Sequence, residues 1–251
     1  GEGGIMTGGA AIANAGVQGV TPGSSTNNTT AIITDGDAEG ITYVAPTFYG
    51  LTVGGSYKAN VVQEDNRGLQ DLDGLTAGEV FGVGALYANT FGGVGFKLSA
   101  GWATYDVATA GATAVATGDS TVNEYSFGTQ LSYAGFTLGG SYRDVNGFKQ
   151  TTTALQDTYD ANAWDVGVQY ATGPYAVSLA YFHSEAAGNT AVTGEDKITF
   201  YQASGKYALG PGVDVLASVG YAKFDDETQK TATDTNHNDG WTVMTGMALS
   251  F

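Results

Sequence analysis

Trp241-Thr-Val-Met-Thr-Gly-Met-Ala-Leu-Ser-Phe251 closes the chain and sets the reading of everything before it. Trp241, Val243, Thr245, Met247, Leu249 and Phe251 fall on one face of an extended segment, and Thr242, Met244, Gly246, Ala248 and Ser250 on the other. Successive strand side chains point to opposite faces, so this segment has one oily side and one small, polar side. A wall with lipid on one side and water on the other needs that division.

Ten earlier segments repeat the pattern. The strands are expected at 39–46, 50–62, 77–89, 93–106, 122–134, 136–145, 160–171, 174–184, 196–208, 213–224 and 239–251. Their connections alternate in length. Pro46–Gly50, Thr90–Gly93, Ala134–Gly135, Thr172–Gly173 and Leu209–Gly212 are short and contain Gly, as tight turns require. The stretches near 61–77, 107–121, 146–159, 185–195 and 225–238 are long and rich in Asp, Asn, Thr and Gly. Aromatics stand beside the short turns: Tyr133, Phe136, Tyr170, Tyr175 and Tyr207, with Phe251 at the end of the last strand. They are expected to form one interfacial girdle, at the short-turn rim.

Facing can be tested strand by strand. Phe127, Leu131, Leu138, Val166, Val168, Val177, Leu179, Val215 and Val219 share the oily parity, as do Tyr142, Trp164, Tyr181 and Tyr221. Lys58, Lys97, Glu124, Gln130, Arg143, Asp165 and Gln169 take the other. Lys197 and Lys223 share the oily parity but stand at the loop ends of their strands, where a long stem can reach the interface. The fold class is therefore all-β: a transmembrane antiparallel β-barrel with eleven strands visible over residues 41–251 and a loop over 1–40. A soluble β-sandwich also alternates, but does not give eleven oily faces with short and long gaps in turn.

Composition narrows the function classes. The net charge of −16 on 251 residues, with nine scattered basic residues, argues against nucleic acid. There is no cysteine, hence no disulfide and no thiolate metal site. No 18-residue apolar run offers a membrane-crossing helix. Two histidines give little enzymatic chemistry. His183 lies on the oily parity and its neighbour Ser184 on the opposite one, while His237 sits in an acidic loop. No Walker A or HExxH motif occurs, and the chain is expected not to be an enzyme.

Ile41-Thr-Tyr-Val-Ala-Pro-Thr-Phe-Tyr-Gly-Leu-Thr-Val-Gly-Gly-Ser-Tyr57 resembles the strand–turn–strand after the constriction loop in general diffusion porins of alphaproteobacteria. Gly246-Met-Ala-Leu-Ser-Phe251 resembles the C-terminal strand that the barrel-assembly machinery recognises. The resemblance implies a porin in the outer membrane of a Gram-negative bacterium. It also implies a homotrimer in contact with lipid and lipopolysaccharide, and passive diffusion of small hydrophilic solutes and ions. Such porins have sixteen strands, so the first five are expected to be missing from these 251 residues. Eleven is also awkward physically, because an odd count leaves an open edge that lipid does not tolerate. The alternatives are a twelfth strand near Ile5–Ala13, where alternation is weak, or a partner chain that supplies the rest of the wall.

The resemblance further places residues 1–40 as the remainder of the constriction loop, with Glu2, Asp35, Asp37 and Glu39 as its acids. Heights rank the wall charges. Lys58 and Arg143 stand seven residues above short turns, roughly 16 Å up at 3.3 Å per residue and 45° tilt. They are the leading constriction cations; Lys97 lies lower, Lys206 at the short-turn mouth, and Asp165 is an inward acid at middle height. Acidic loop runs such as Glu64-Asp65-Asn66 and Asp225-Asp226-Glu227 predict mild cation selectivity. No cofactor is expected, although such oxygen clusters can hold Ca²⁺. Two other readings stay open. A sugar-type selective channel wants an aromatic ladder inside, where only isolated candidates such as Phe182 are read. A structural or adhesive barrel would not conduct.

Overall fold

The computed structural model describes residues 29–32, 40–60, 77–107, 121–147, 160–187, 193–227 and 237–250. Among them run eleven strands: β1 Gly40–Val44, β2 Leu51–Asn60, β3 Ala77–Phe91, β4 Val94–Val107, β5 Thr121–Tyr133, β6 Phe136–Asn146, β7 Ala161–Thr172, β8 Tyr175–Ala187, β9 Glu195–Gly210, β10 Val213–Asp225 and β11 Asn238–Leu249. They form one sheet in sequence order with β1 and β11 at its edges, and every neighbouring pair is antiparallel. The expected strands are all present, displaced at their ends by a few residues. β1 is the shortest; Pro46 follows it and has no N–H to continue a ladder.

Tight turns hold the register at one rim. Tyr49 and Gly50 have φ of 49° and 86°, and Ala134 and Gly135 have 49° and 85°. Positive φ at both central residues is the type I′ geometry, whose twist matches that of the flanking strands. A Cβ on Gly135 would stand 2.5 Å from the Ala171 carbonyl oxygen, so that position admits only glycine. Glu79 also has positive φ, 50°, at a bulge where β3 shifts register between Gly78 and Phe81.

Burial runs the reverse of a soluble protein. Phe127, Leu138, Leu179 and Trp241 are 57%, 52%, 60% and 71% exposed, whereas Glu124, Arg143 and Asp165 are 1%, 5% and 5%. Lone exposed apolar residues are ordinary, but a continuous apolar sheet face with buried charges behind it is not. The sequence dictates this, because the period-2 alternation puts charge on one face and oil on the other. The sandwich alternative, which buries its oily face, is excluded.

The apolar face carries two aromatic rows where one was expected. At the short-turn rim Phe136 meets Tyr170 at 4.5 Å between ring centres and Tyr175 meets Tyr207 at 5.0 Å, with Tyr133 opposite Phe136 in the ladder. Nearer the loop rim, Tyr181, Tyr201, Tyr221 and Trp241 stand in direct register across β8–β11, with centres 5.0 Å apart for Tyr181–Tyr201 and 4.9 Å for Tyr221–Trp241. Each such pair adds about 0.5–1.5 kcal/mol beyond its buried area. Above this row Lys197 meets Glu185 at 2.6 Å and Lys223 meets Asp225 at 2.5 Å, so both oily-parity lysines are paired at the loop ends.

Candidate functional site

The candidate site is the polar face of the sheet. Neighbouring strands present their even- or odd-numbered side chains there together, so charges far apart in sequence become neighbours. Arg143 on β6 and Glu124 on β5 form a buried ion pair: Arg143 Nη2 lies 2.7 Å from Glu124 Oε2 and Nε donates to the same oxygen at 2.9 Å. Tyr105 on β4 donates its hydroxyl to Glu124 Oε1 at 2.7 Å. A carboxylate so engaged on both oxygens is held rigidly.

Toward β7, Asp165 Oδ2 accepts from Ser141 Oγ at 2.6 Å and from Thr30 Oγ1 at 2.8 Å. Residues 29–32 therefore lie on the polar face, with Ile32 Cδ1 3.4 Å from where a Gly101 Cβ would stand. A cavity of about 460 Å³ lies between this segment and a strip of small residues that includes Ser56, Gly82, Ser126 and Gly128. On the other side, Gln202 Nε2 donates to Ser204 Oγ at 2.9 Å and to Ser218 Oγ at 3.0 Å. Lower down, Lys206 Nζ meets Asp214 Oδ2 at 3.0 Å.

Several expected wall charges thus have partners that the sequence did not disclose. Arg143 faces the expected way but is neutralised by Glu124, and Lys206 is matched by Asp214. Asp165 is inward and buried. Lys58 is on the polar face beside Val80, its stem running over Gly40, and Lys97 is exposed opposite Gln130. Asp35, Asp37, Glu2, Glu39, Glu64, Asp65 and Phe251 lie outside the described residues. Tyr133, Phe136, Tyr170, Tyr175 and Tyr207 all point out on the apolar face.

Phe182 proves not to be isolated. It joins Ile198, Phe200, Ala222 and Phe224 in a buried apolar cluster near the loop rim of the polar face, partly covered by Met244. Phe200 is 2% exposed and Ser184, beside the cluster at 0%, has no hydrogen-bond partner. His183 is on the opposite face, its Nδ1 3.0 Å from Thr199 Oγ1, so it cannot serve Ser184 as a base.

At the loop rim the carboxylates of Asp196, Asp226 and Glu227 come within 4.8 Å of one another, a grouping invisible from sequence because Asp196 belongs to β9. Three carboxylates are a beginning of a Ca²⁺ site, which takes six to eight oxygens. Hydrogen bonds with Asp226 and Asp196, with burial, push the Glu227 carboxyl up to about 7.

Residues 3–227 match the sequence profile of the family described as Gram-negative porin. No curated protein sequence matches the chain. Among solved structures it is similar to OccK10 (OpdN) of Pseudomonas aeruginosa, at TM-score 0.56 and 13% identity over 84% of this chain and 60% of that one. Outer-membrane expressed OmpT of Vibrio cholerae gives 0.53 and 14%, over 94% and 72%. OmpF of Salmonella typhi, in complex with daunomycin, gives 0.51 and 18%, over 83% and 61%. The chain thus spans less than two thirds of the OccK10 and OmpF chains.

Proposed function

The chain belongs to the Gram-negative porins, proteins of the outer membrane, and on that premise we propose that it builds the wall of a water-filled channel for passive diffusion of small hydrophilic solutes and ions. One observation carries the reading: the sheet exposes Phe127, Leu138 and Leu179 while it covers Glu124, Arg143 and Asp165. Lipid solvates the first set, and a hydrated interior tolerates the second.

Finer features of the reading follow. With Arg143 and Lys206 neutralised by their partners, the selectivity bias falls to the acid excess of the chain, and mild cation preference is the reading. Lys58 and Lys97 add local positive charge to the wall. An open edge in lipid leaves backbone groups unsatisfied, so the β1 and β11 edges pair with further strands in the membrane, five in a sixteen-stranded wall of alphaproteobacterial type. Assembly as a trimer, lipopolysaccharide around the aromatic rows, and recognition of β11 by the barrel-assembly machinery belong to the same reading. A sugar ladder is disfavoured, because Phe182 and Phe200 are buried rather than offered to a solute.

Recording in planar bilayers tests this. Steady conductance with a reversal potential in a KCl gradient that favours K⁺ is expected; anion preference would refute the selectivity, and silence would favour a structural barrel. Block by a sugar would point to the selective channel. The intact mass of protein purified from outer membranes tests the further strands.

A further inference from the structure

The polar face changes character along its own ladder. One row of direct partners runs Gly101, Ser126, Arg143, Ala163, Ser184, Ile198 from β4 to β9. The next row toward the short turns runs Gly128, Ser141, Asp165, Phe182, Phe200, Ala222 from β5 to β10. Both rows begin small or hydroxylated and end apolar, with Arg143 and Asp165 standing at the change. Burial follows the same division. Gly101, Ser126, Gly128 and Ser141 are half-buried and line the cavity of about 460 Å³. Ser184, Ile198, Phe200 and Ala222 are 0%, 3%, 2% and 0% exposed. The Phe200 ring lies against the wall: a Cβ on Gly220 would stand 2.7 Å from its Cζ, so glycine there gives the ring its seat. Phe182, Phe224 and Met244 pack into the same cluster.

We propose that the water path is lopsided: solutes and ions pass along the small-residue strip of β4–β6, while the loop-rim half of β8–β10 is a sealed, dry sector of the polar face. The first half of this statement rests on the channel reading above; the second does not. Space enclosed by apolar side chains stays dry, and an apolar lining stops ions where a hydroxylated one passes them. Side-chain size at Ser126 and Gly128, rather than at the apolar positions, then decides which solutes pass. Ser126 and Ser184 make the comparison clean, because they are the same residue type in one row of one face, three strands apart.

The chain has no cysteine, so single Ser126→Cys and Ser184→Cys variants report water access without background. Ser184→Cys is close in shape and forfeits no hydrogen bond, since the Ser184 hydroxyl has no partner. Both variants of the full chain are reconstituted in liposomes and treated with a cationic, water-soluble methanethiosulfonate reagent, and the labelled fraction is read by intact mass. Ser126→Cys is expected to react at least about a hundredfold faster, because a buried thiol reacts only when its surroundings open. In planar bilayers the reagent should lower the single-channel conductance of Ser126→Cys and leave that of Ser184→Cys unchanged. Comparable labelling rates overturn the dry sector, and an unreactive Ser126→Cys overturns the strip as the path. If Ser184→Cys does not fold, Ala222→Cys carries the same test from the neighbouring row. A parent that is silent in bilayers overturns the channel reading instead, and the labelling rates still decide whether the sector is dry.

Discussion

The Arg143 guanidinium closes on the Glu124 carboxylate at 2.7 Å, with their side chains only 6% and 2% exposed. Such a pair contributes little compared with an apolar replacement of the same shape, but breaking one half strands a buried charge. Glu124→Ala is expected to destabilise the fold by about 3–5 kcal/mol. Replacing both residues, as in Glu124→Leu with Arg143→Met, recovers most of that loss. Thermal melts in detergent micelles compare the two; equal losses would mean that Arg143 finds another partner.

Val166 and Gln169 lie three residues apart on β7 and face opposite solvents. An arginine on the lipid side at mid-height costs about 2–4 kcal/mol, whereas Gln169→Arg on the polar face should stay within about 0.5 kcal/mol of the parent. Refolding titrations into lipid vesicles measure both. Equal penalties would contradict the assignment of the two faces.

The β5–β6 turn should punish and forgive in adjacent positions. At Gly135 φ is 85° and a Cβ would meet the Ala171 oxygen, so Gly135→Ala costs at least about 1–2 kcal/mol. At Ala134 φ is 49°, already left-handed, so Ala134→Gly relieves strain while loosening the unfolded chain and comes out near neutral. Melting temperatures separate the two variants.

Glu227 titrates high because its neutral form donates to Asp226 and Asp196. A carboxyl with a raised folded pKa stabilises through its proton. The contribution is complete below the ordinary 4.5 and disappears as pH rises through about 7. Glu227→Gln stays neutral at every pH. The variant should therefore melt close to the parent at pH 5 and above it at pH 8. A difference that does not change between those pH values would dissolve this account.

How much of this was readable in advance follows from the range of each interaction. Strand positions and facing were legible because alternation is local: Trp164, Val166 and Val168 announce their side within five residues. The short turns were legible for the same reason. The loop-rim aromatic row was not, although Tyr181, Tyr221 and Trp241 were each read as oily, because only the register of β8–β11 aligns them with one another and with Tyr201. Arg143 was read as a constriction cation from its height, yet the charge it faces comes from Glu124, placed by the β5–β6 register. Thr30 is 135 residues from Asp165, and no local pattern links them. Chemistry that depends on two distant strands meeting was the part that stayed hidden.

Among the described residues each strand pairs with its neighbours in sequence, and this gives the two rims different tolerance to editing. At the short-turn rim a single inserted residue shifts the ladder and turns an entire strand inside out. At the other rim, where β2–β3, β4–β5, β6–β7, β8–β9 and β10–β11 are joined, added residues need not disturb a register already set from below. Epitope tags, protease sites or foreign peptides therefore belong in those joins, where the chain can carry new cargo without rewriting its wall.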